Sequence, residues 1–227
     1  MEKEEFDGFT LYRISTGGRW KENSYLVVDQ ATKNSILIDP GYDSEWLIAV
    51  IEENGYSLKH IILTHAHHDH IAGVQDISEY FCLPCILHPA DKRVLMHAPM
   101  YGIQFAKRTV KRPKDVLWLD EAVGRELANE GLCILHTPGH SKGGICVFFR
   151  QLIFTGDTLV REYLGRTDLP EGDREKIIDS VNQIFVQAKE KSSRIIYPGH
   201  GERWGVDEAH TWWQNQIGEN IKELNMF

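Results

Sequence analysis

The chain alternates short apolar runs with segments whose apolar residues recur at helical spacing. β-branched runs bounded by turn-forming residues predict strands, and apolar positions three or four residues apart predict helices. The predicted strands are Thr10–Ile14, Ser24–Val28, Ser35–Asp39, 60–64, Leu132–His136, Ile145–Phe149, Leu152–Thr155 and Arg194–Tyr197. The predicted helices are 43–54, 71–81, Arg174–Lys189 and Asp207–Leu224. Short strands and helices in alternation, without a long linker, indicate one α/β domain spanning 1–227.

Histidine and aspartate residues follow the predicted strands where these strands end. The strand at 60–64 leads into the stretch ILTHAHHDH, and His140, Asp157 and His200 follow later strands. Open α/β proteins bind ligands at such ends, because the loops vary while the sheet stays rigid. The sequence therefore predicts a site built from several strand-end loops.

The histidine-rich stretch indicates a metal site. His65 and His67 can converge on one point if their loop curls, and Asp69 and His70 then face a second point nearby. Nitrogen and carboxylate donors without thiolate suit Zn²⁺, Fe or Mn. We therefore expect two divalent metal ions, with Zn²⁺ as the first expectation and Fe or Mn as alternatives.

Composition and charge narrow the class of protein. The 227 residues are 42% hydrophobic and 26% charged, as in ordinary globular proteins. The net charge of −8 disfavours binding to nucleic acid. No segment has the length and apolar character of a membrane span, and the acidic N-terminus lacks the pattern of a signal peptide. We expect a cytoplasmic protein with neither a nucleic-acid nor a membrane partner.

The motifs resemble those of the metallo-β-lactamase superfamily. They are Asn23-Ser24-Tyr25-Leu26, Ile38-Asp39-Pro40-Gly41, His-x-His-x-Asp-His at 65–70, Thr-Pro-Gly-His at 137–140, Thr-Gly-Asp-Thr at 155–158 and Pro-Gly-His at 198–200. The resemblance covers nearly the whole chain, and the motifs occur in the family's order. It implies the family's fold, a four-layer αβ/βα sandwich with the site on one edge.

The resemblance also implies a ligand set and a mechanism. The implied ligands are His65, His67 and His140 for the first metal ion, Asp69, His70 and His200 for the second, and Asp157 as the bridge. A hydroxide between the ions would attack the substrate, and Asp69 would take up the released proton, so Asp69 and Asp157 are the candidate catalytic residues. True zinc β-lactamases commonly have a thiolate where Asp157 stands, which disfavours antibiotic hydrolysis.

Residues near the ligands receive structural interpretations. We expect Asp39 to hold a ligand loop through hydrogen bonds, with a plain strand-end turn as the alternative. His136 is expected to brace its loop, and His68 to face either solvent or a hydrogen-bonding partner.

The segment Gly165-Arg166-Thr167-Asp168 resembles that of small glyoxalase II-like, or hydroxyacylglutathione hydrolase-like, proteins. This likeness implies that the protein hydrolyses a thioester. We expect the substrate to be a small anionic molecule. Full-length glyoxalase II enzymes carry a C-terminal helical domain that supplies much of the glutathione pocket. Only 27 residues follow His200, so the thiol half of the substrate stays open.

Two alternatives stay open beside the thioester hydrolase. Persulfide dioxygenases share the Gly-Arg-Thr-Asp segment but use a single iron, whose ligands here would be His65, His140 and Asp157. A metal-bound ligand sensor without turnover is the second alternative. Such sensors commonly lose a ligand, and this chain keeps every one that the family implies.

Three other segments bear on substrate and assembly. Five of the eight residues at 107–114 are basic, and Lys111, Arg112 and Arg166 are candidate contacts for an anionic substrate, with a solvated surface as the alternative. The C-x-x-C pair Cys82 and Cys85 is interpreted as buried or partly buried thiols rather than a redox pair. The tail helix at 207–224 could pack on the body, cover the site or form a homodimer contact, and the sequence leaves these three open.

Overall fold

The structure is a computed structural model and describes residues 1–17 and 21–218. The chain forms two compact units, Met1–Trp118 and Leu119–Phe227. Each unit has its own sheet and its own hydrophobic core. The assignment of 1–227 to a single domain stays a prediction.

The first unit is built on a seven-stranded sheet whose strands follow one another in chain order. The strands are Glu2–Phe6 (β1), Phe9–Ser15 (β2), Asn23–Asp29 (β3), Asn34–Ile38 (β4), Ser57–Ile62 (β5), Cys85–Leu87 (β6) and Val116–Trp118 (β7). β1 to β4 pair in antiparallel fashion, and β4 to β7 pair in parallel. The parallel part brings the carboxyl ends of β4 and β5 to the same edge of the sheet.

Helices connect the parallel strands of the first unit and cover its core. They are Ser44–Glu53 (α1), Val74–Phe81 (α2), the 3₁₀ turn Pro89–Asp91, Lys92–Tyr101 (α3) and the π-helical turn Gly102–Ala106. α1 buries Leu47, Val50 and Ile51, as its spacing predicts, but Trp46 from the same predicted face is 40% exposed. The core draws on α1, α2, α3 and the strands between them.

The second unit contains a five-stranded sheet in the order β14-β13-β10-β9-β8 and a separate two-stranded ribbon. The strands are Leu132–His136 (β8), Ile145–Phe149 (β9), Leu152–Gly156 (β10), Leu159–Val160 (β11), Tyr163–Leu164 (β12), Ile195–Pro198 (β13) and Trp204–Gly205 (β14). The helices are Glu121–Asn129 (α4), Arg174–Glu190 (α5) and Val206–Gly218 (α6). α5 connects β10 to its parallel neighbour β13, and its buried side chains form much of this core.

The predicted tail helix is present from Val206 to Gly218, and its remainder at 219–224 lies outside the described residues. Trp213 is buried, and its indole N–H donates to Asn182 Oδ1 of α5 at 2.8 Å. The described part of this helix therefore packs on α5 within the second unit. Residues 1–17 and 21–218 include no helix that combines the length and the apolarity needed to cross a membrane.

Candidate metal centre

Three histidine rings gather in the loop that follows β5. His65 and His67 lie edge to face with 4.7 Å between ring centroids, and His65 and His70 are 4.1 Å apart. All three residues are buried. The loop curls as the spacing predicts, so that side chains at most five residues apart come together in the interior of the first unit.

Asp39, at the end of neighbouring β4, organises these rings. Its carboxylate accepts from the Thr64 backbone N–H at 2.7 Å and from the Thr64 hydroxyl at 2.5 Å. It also accepts from His70 Nδ1 at 3.0 Å. The carboxyl ends of two parallel strands are thus tied together at the ligand loop, residues 65–70. The interpretation of Asp39 as the brace of this loop agrees with these contacts.

The hydrogen bonds fix the tautomers of two ligand candidates. A carboxylate can only accept, so His70 carries its proton on Nδ1. The single Thr64 hydroxyl proton goes to Asp39, so Thr64 Oγ1 accepts from His65 Nδ1 at 3.1 Å. Both rings therefore present the lone pair of Nε2. An oriented imidazole with its other nitrogen held by a partner is how proteins prepare a metal ligand.

The backbone around Asp39 is held in an uncommon conformation. Asp39 has φ +47°, in the left-handed region that Asp tolerates better than most residues. Ser24 Oγ donates to the Asp39 carbonyl at 2.6 Å and accepts from the Gly41 N–H at 3.0 Å. A Cβ on Gly41 would lie 2.7 Å from the Asp69 carbonyl oxygen, so only glycine fits there. Ser24 and Gly41, from the two N-terminal motifs, thus position the ligand loop.

Asp91 is a loop anchor that the sequence did not reveal. It is fully buried, and its Oδ2 accepts the Ala66 backbone N–H at 2.9 Å. A buried carboxylate needs such partners to offset its lost hydration. The surrounding letters, HPADKR, give no signal for this role, because only the folded chain brings residue 91 beside residue 66.

In the second unit one carboxylate oxygen lies between two histidines. Asp157 Oδ2 is 3.5 Å from His140 Nε2 and 3.5 Å from His200 Nε2. Two ligands of a tetrahedral zinc ion, each about 2.1 Å from the metal, are about 3.4 Å apart. The three donors are therefore spaced like ligands around ions, with the oxygen placed as a bridging carboxylate requires.

His140 is oriented by the Gly-Arg-Thr-Asp segment. Its Nδ1 donates to the Arg166 carbonyl oxygen at 2.9 Å, which leaves the lone pair on Nε2. A Cβ on Gly165 would lie 2.0 Å from the Asp157 carbonyl oxygen and 2.8 Å from His140 Nδ1. Gly165 therefore lets the segment approach both ligand candidates closely.

The donor set fits divalent metal ions. His65, His70 and Asp39 offer nitrogen and oxygen atoms within 4.8 Å of one another in the first unit. In the second unit, Asp157 Oδ2 lies 3.5 Å from His140 Nε2 and 3.5 Å from His200 Nε2. Imidazole and carboxylate donors suit Zn²⁺, Fe and Mn alike, so the residues fit divalent metals without selecting one.

Asp69 and its neighbours form a partly exposed flank of the ligand loop. The Asp69 side chain is 14% exposed, and its Oδ1 lies 3.9 Å from His68 Nδ1. His68 is buried with the Tyr42 hydroxyl at 3.3 Å, so of its two expected environments the structure has the hydrogen-bonding partner. Burial first, and then the Asp69 charge, raise the pKa of Tyr42 to about 12. Tyr42 is therefore a neutral donor or acceptor at physiological pH.

Tyr163 of the second unit, like Tyr42 of the first, lies near the carboxylate of a ligand candidate, which here is Asp157. Burial first, and then the Asp157 charge, raise the pKa of its hydroxyl. This hydroxyl lies 3.7 Å from where a Cβ on Gly201, the residue after His200, would be. His136 Nε2–H donates to the Lys142 carbonyl oxygen at 2.9 Å, so His136 braces its loop as expected.

The candidate substrate cations are engaged within their own units. Lys111 Nζ pairs with Asp76 at 2.6 Å, and both side chains are exposed. Arg166 forms two 2.7 Å hydrogen bonds with Asp168, which lower the pKa of that carboxyl. Arg112 is exposed. The pair with Asp76 weakens the positive field of the segment at 107–114 without removing the charge of Lys111.

The cysteines are free thiols. Cys85 is buried, and burial raises its pKa to about 12, whereas Cys82 is exposed. The interpretation of the pair as buried or partly buried thiols is right for Cys85 and wrong for Cys82. The Cys82 side chain points outward because the residue ends α2 in a left-handed conformation, φ +54°.

Comparison with known proteins decides the family. The family model described as "Metallo-beta-lactamase superfamily" matches residues 17–200. The chain belongs to the metallo-β-lactamase superfamily. The match contains all the ligand motifs, and the predicted α/β fold class of this superfamily is confirmed. As a member, the chain is a metallo-hydrolase-fold protein.

Two relatives of this chain carry the names of hydrolases. It is 35% identical over 191 residues to a Methanocaldococcus jannaschii protein named "Probable metallo-hydrolase", covering 82% of this chain and 90% of that one. It is 32% identical over 187 residues to a Haemophilus influenzae protein named "Hydroxyacylglutathione hydrolase GloC", covering 80% and 86%.

A solved structure of the same superfamily is also similar. The crystal structure of TTHA1623 in a di-iron-bound form superposes with a TM-score of 0.77 at 32% identity, covering 88% of this chain and 96% of that one. That protein holds two irons. Its likeness supports a site for divalent metals in this chain while leaving the metal's identity to experiment.

Proposed function

We propose that this protein is a dinuclear metal-dependent hydrolase that cleaves a thioester. The observation that carries the proposal is Asp157 Oδ2, placed 3.5 Å from a nitrogen of each of two histidines. This spacing is close to the roughly 3.4 Å that separates two ligands of one tetrahedral zinc ion, so a single carboxylate oxygen beside two imidazoles suits a ligand shared by two ions. The family match from 17 to 200 spans both ligand clusters and supports their use in one centre.

The ligand assignment follows the order of the family's motifs. His65, His67 and His140 are assigned to one ion, Asp69, His70 and His200 to the other, and Asp157 to both. When bound, two divalent ions would activate water as a nucleophile and polarise a carbonyl oxygen.

The protein's own residues then have defined tasks. Asp39, Thr64 and the Arg166 carbonyl hold three imidazoles in the tautomer that presents Nε2. Asp69, partly exposed on the flank of the loop, is placed to take up the proton that water loses during attack. Tyr42 stays protonated at physiological pH because of its raised pKa and holds His68 beside Asp69.

A thioester suits this set of groups. Hydrolysis joins the water oxygen to the carbonyl carbon and breaks the carbon–sulfur bond, and the thiol half leaves as thiolate. Because a thiolate is a good leaving group, no strong general acid is needed. Similarity to a protein named hydroxyacylglutathione hydrolase supports this substrate class over a β-lactam. Asp157, standing where zinc β-lactamases commonly have a thiolate, supports it as well.

The first test is the metal content of protein purified without added metal, measured by plasma mass spectrometry. Two ions per chain, followed by hydrolysis in a panel of thioesters, would support the proposal. A single iron per chain with oxygen uptake on a persulfide would replace it with the dioxygenase. Failure to bind metal even after reconstitution would refute both enzymes, and metal binding without turnover of any substrate would leave the ligand sensor.

A further inference from the structure

An exposed apolar surface lies on α3 and the π-helical turn that continues it. Met96, Met100 and Ile103 are 58%, 52% and 59% exposed, and Phe105 is 37% exposed. Met96, Met100 and Ile103 are spaced four and three residues apart, so they share one side of the helix. We call these four residues the acyl face. Contiguous exposed apolar side chains of this kind mark binding surfaces in folded proteins.

The acyl face leads to the candidate metal centre through a row of aromatic rings. His97 and Tyr101 have ring centroids 6.2 Å apart, and Tyr101 and Phe105 are 5.7 Å apart. Phe105 then stacks on His68 with 6.4 Å between centroids. His68 stands between the ligand candidates His67 and Asp69 in the chain. The row therefore ends at the ligand loop, inside the first unit.

The helix that carries the acyl face packs its other side against the core of the first unit. Val94, Leu95 and Ala98 are buried in the core of the first unit. A Cβ on Gly102 would lie 2.7 Å from Val110 Cγ2, so the π-helical turn packs closely against the segment that follows it. π-helical turns occur frequently at functional sites. The exposed side chains thus stand on a rigid support and need no rearrangement to be accessible.

We infer that the acyl face receives the apolar acyl chain of the thioester substrate. This inference rests on the proposed function. The four side chains offer no hydrogen-bond donor to a polar group, and methionine and aromatic side chains adapt well to flexible apolar ligands. Phe105 belongs to both the face and the row, and the row ends at His68, whose Nδ1 lies 3.9 Å from Asp69 Oδ1, so the face adjoins the ligand loop. The favoured substrates are therefore acyl thioesters with several methylenes.

The test is a series of thioesters that share one thiol, N-acetylcysteamine, and carry acetyl, butanoyl, hexanoyl or octanoyl groups. Full burial of one methylene corresponds to about a fourfold gain in kcat/KM, so partial burial on an open face predicts at least about tenfold from acetyl to octanoyl. The variant Met100→Ser/Ile103→Ser should flatten this dependence. Val186→Ser removes an equally exposed apolar side chain from α5 and should keep the wild-type dependence.

A binding measurement separates the two proposals. The thioether S-octyl-N-acetylcysteamine cannot be hydrolysed, and its calorimetric titration should show tighter binding than the S-ethyl compound, with the difference lost in the double variant. Hydrolysis without any dependence on chain length would overturn the inference and leave the thioesterase standing. If the S-octyl thioether bound more tightly than the S-ethyl compound but no thioester were hydrolysed, the acyl face would stand as a binding surface and the proposed function would be refuted.

A second copy of this chain is the alternative occupant of the acyl face. Light scattering on the wild type and the double variant tests this directly. A wild-type dimer that becomes a monomer in Met100→Ser/Ile103→Ser would overturn the inference, because the face would then be an interface. An unchanged state of assembly supports it, provided that both proteins melt at the same temperature.

Discussion

The two units contribute ligand candidates in opposite ways. The first places His65, His67, Asp69 and His70 in one continuous loop after a single strand, β5. The second collects His140, Asp157 and His200 from three separate loops, which follow β8, β10 and β13. The first set is close in sequence, although the residues that brace it, Asp39 and Asp91, are not. The second becomes a set only when the sheet has paired its strands.

This difference appears in the supporting residues. The ligand loop is tied by side-chain carboxylates, Asp39 on the imidazoles and Asp91 on the backbone. The second cluster is organised by close backbone approach, through the Arg166 carbonyl and the missing side chain of Gly165. In the first unit a charged side chain orients a ligand candidate, and in the second a backbone carbonyl does so from a segment that only glycine allows to come close. Substitutions that remove a charge and substitutions that fill a close approach should therefore differ in their effects on metal binding and activity.

The largest effect is expected for Asp157→Ala. Removing the oxygen that lies 3.5 Å from both His140 and His200 disrupts every donor pair of the second cluster. We expect loss of activity and of most bound metal, measured by thioester hydrolysis and plasma mass spectrometry. Asp179→Ala, which removes an exposed carboxylate from α5, is the control and should behave like wild type. Full activity with two metals retained in Asp157→Ala would refute the bridge.

The next largest effect is expected for Gly165→Ala. The added Cβ would sit 2.0 Å from the Asp157 carbonyl oxygen, so His140 and Asp157 must move. A displacement of about 1 Å at reacting groups can cost about 10²-fold in rate, and we expect kcat/KM to fall by that order. Gly124→Ala in α4 meets no atom within 4 Å and should leave activity intact. Equal activity of both variants would show that the space beside Gly165 is not needed.

Asp39→Asn tests the charge-based bracing of the first unit. Asparagine keeps the size and tolerates φ +47°, but weakens the hold on His70 Nδ1. Loss of such a partner typically costs about 10- to 100-fold in metal affinity or activity. A competitive chelator titration measures the affinity. Asp43→Asn is matched, since Asp43 also has positive φ and accepts a backbone N–H, from Gly17. If both variants held metal equally, Asp39 would serve only as a turn.

The smallest effect is expected for Lys111→Glu combined with Arg112→Glu. Exposed charges act weakly and are screened by salt, and Lys111 is already paired with Asp76. We expect KM for an anionic thioester to rise about threefold at low ionic strength, and the rise to vanish at high salt. Lys59→Glu combined with Lys189→Glu, both exposed, makes the same change in net charge away from this segment and is the control. An unchanged KM for every anionic substrate would end the role of this segment in binding.

The strands that flank the ligand candidates were predictable to within about three residues, the largest difference being the start of β5, because their apolar runs and turn residues are local signals. β8 and β9 have the predicted bounds, and α5 ends one residue beyond the prediction. The role of Asp39 followed from its motif. The exposure of Trp46 and Cys82 did not follow, because spacing alone does not show how far a covering element extends over a helix.

The sequence by itself determined the types of the candidate ligands, their order along the chain and the loops that carry them. These depend on residue identity and on glycine and proline, whose backbone preferences are intrinsic. Only the tertiary structure decided which nitrogen each histidine presents, that Asp91 anchors Ala66, and that Asp157 lies between two histidines. Such contacts join residues 17 to 43 positions apart, and their geometry exists only after the strands have paired.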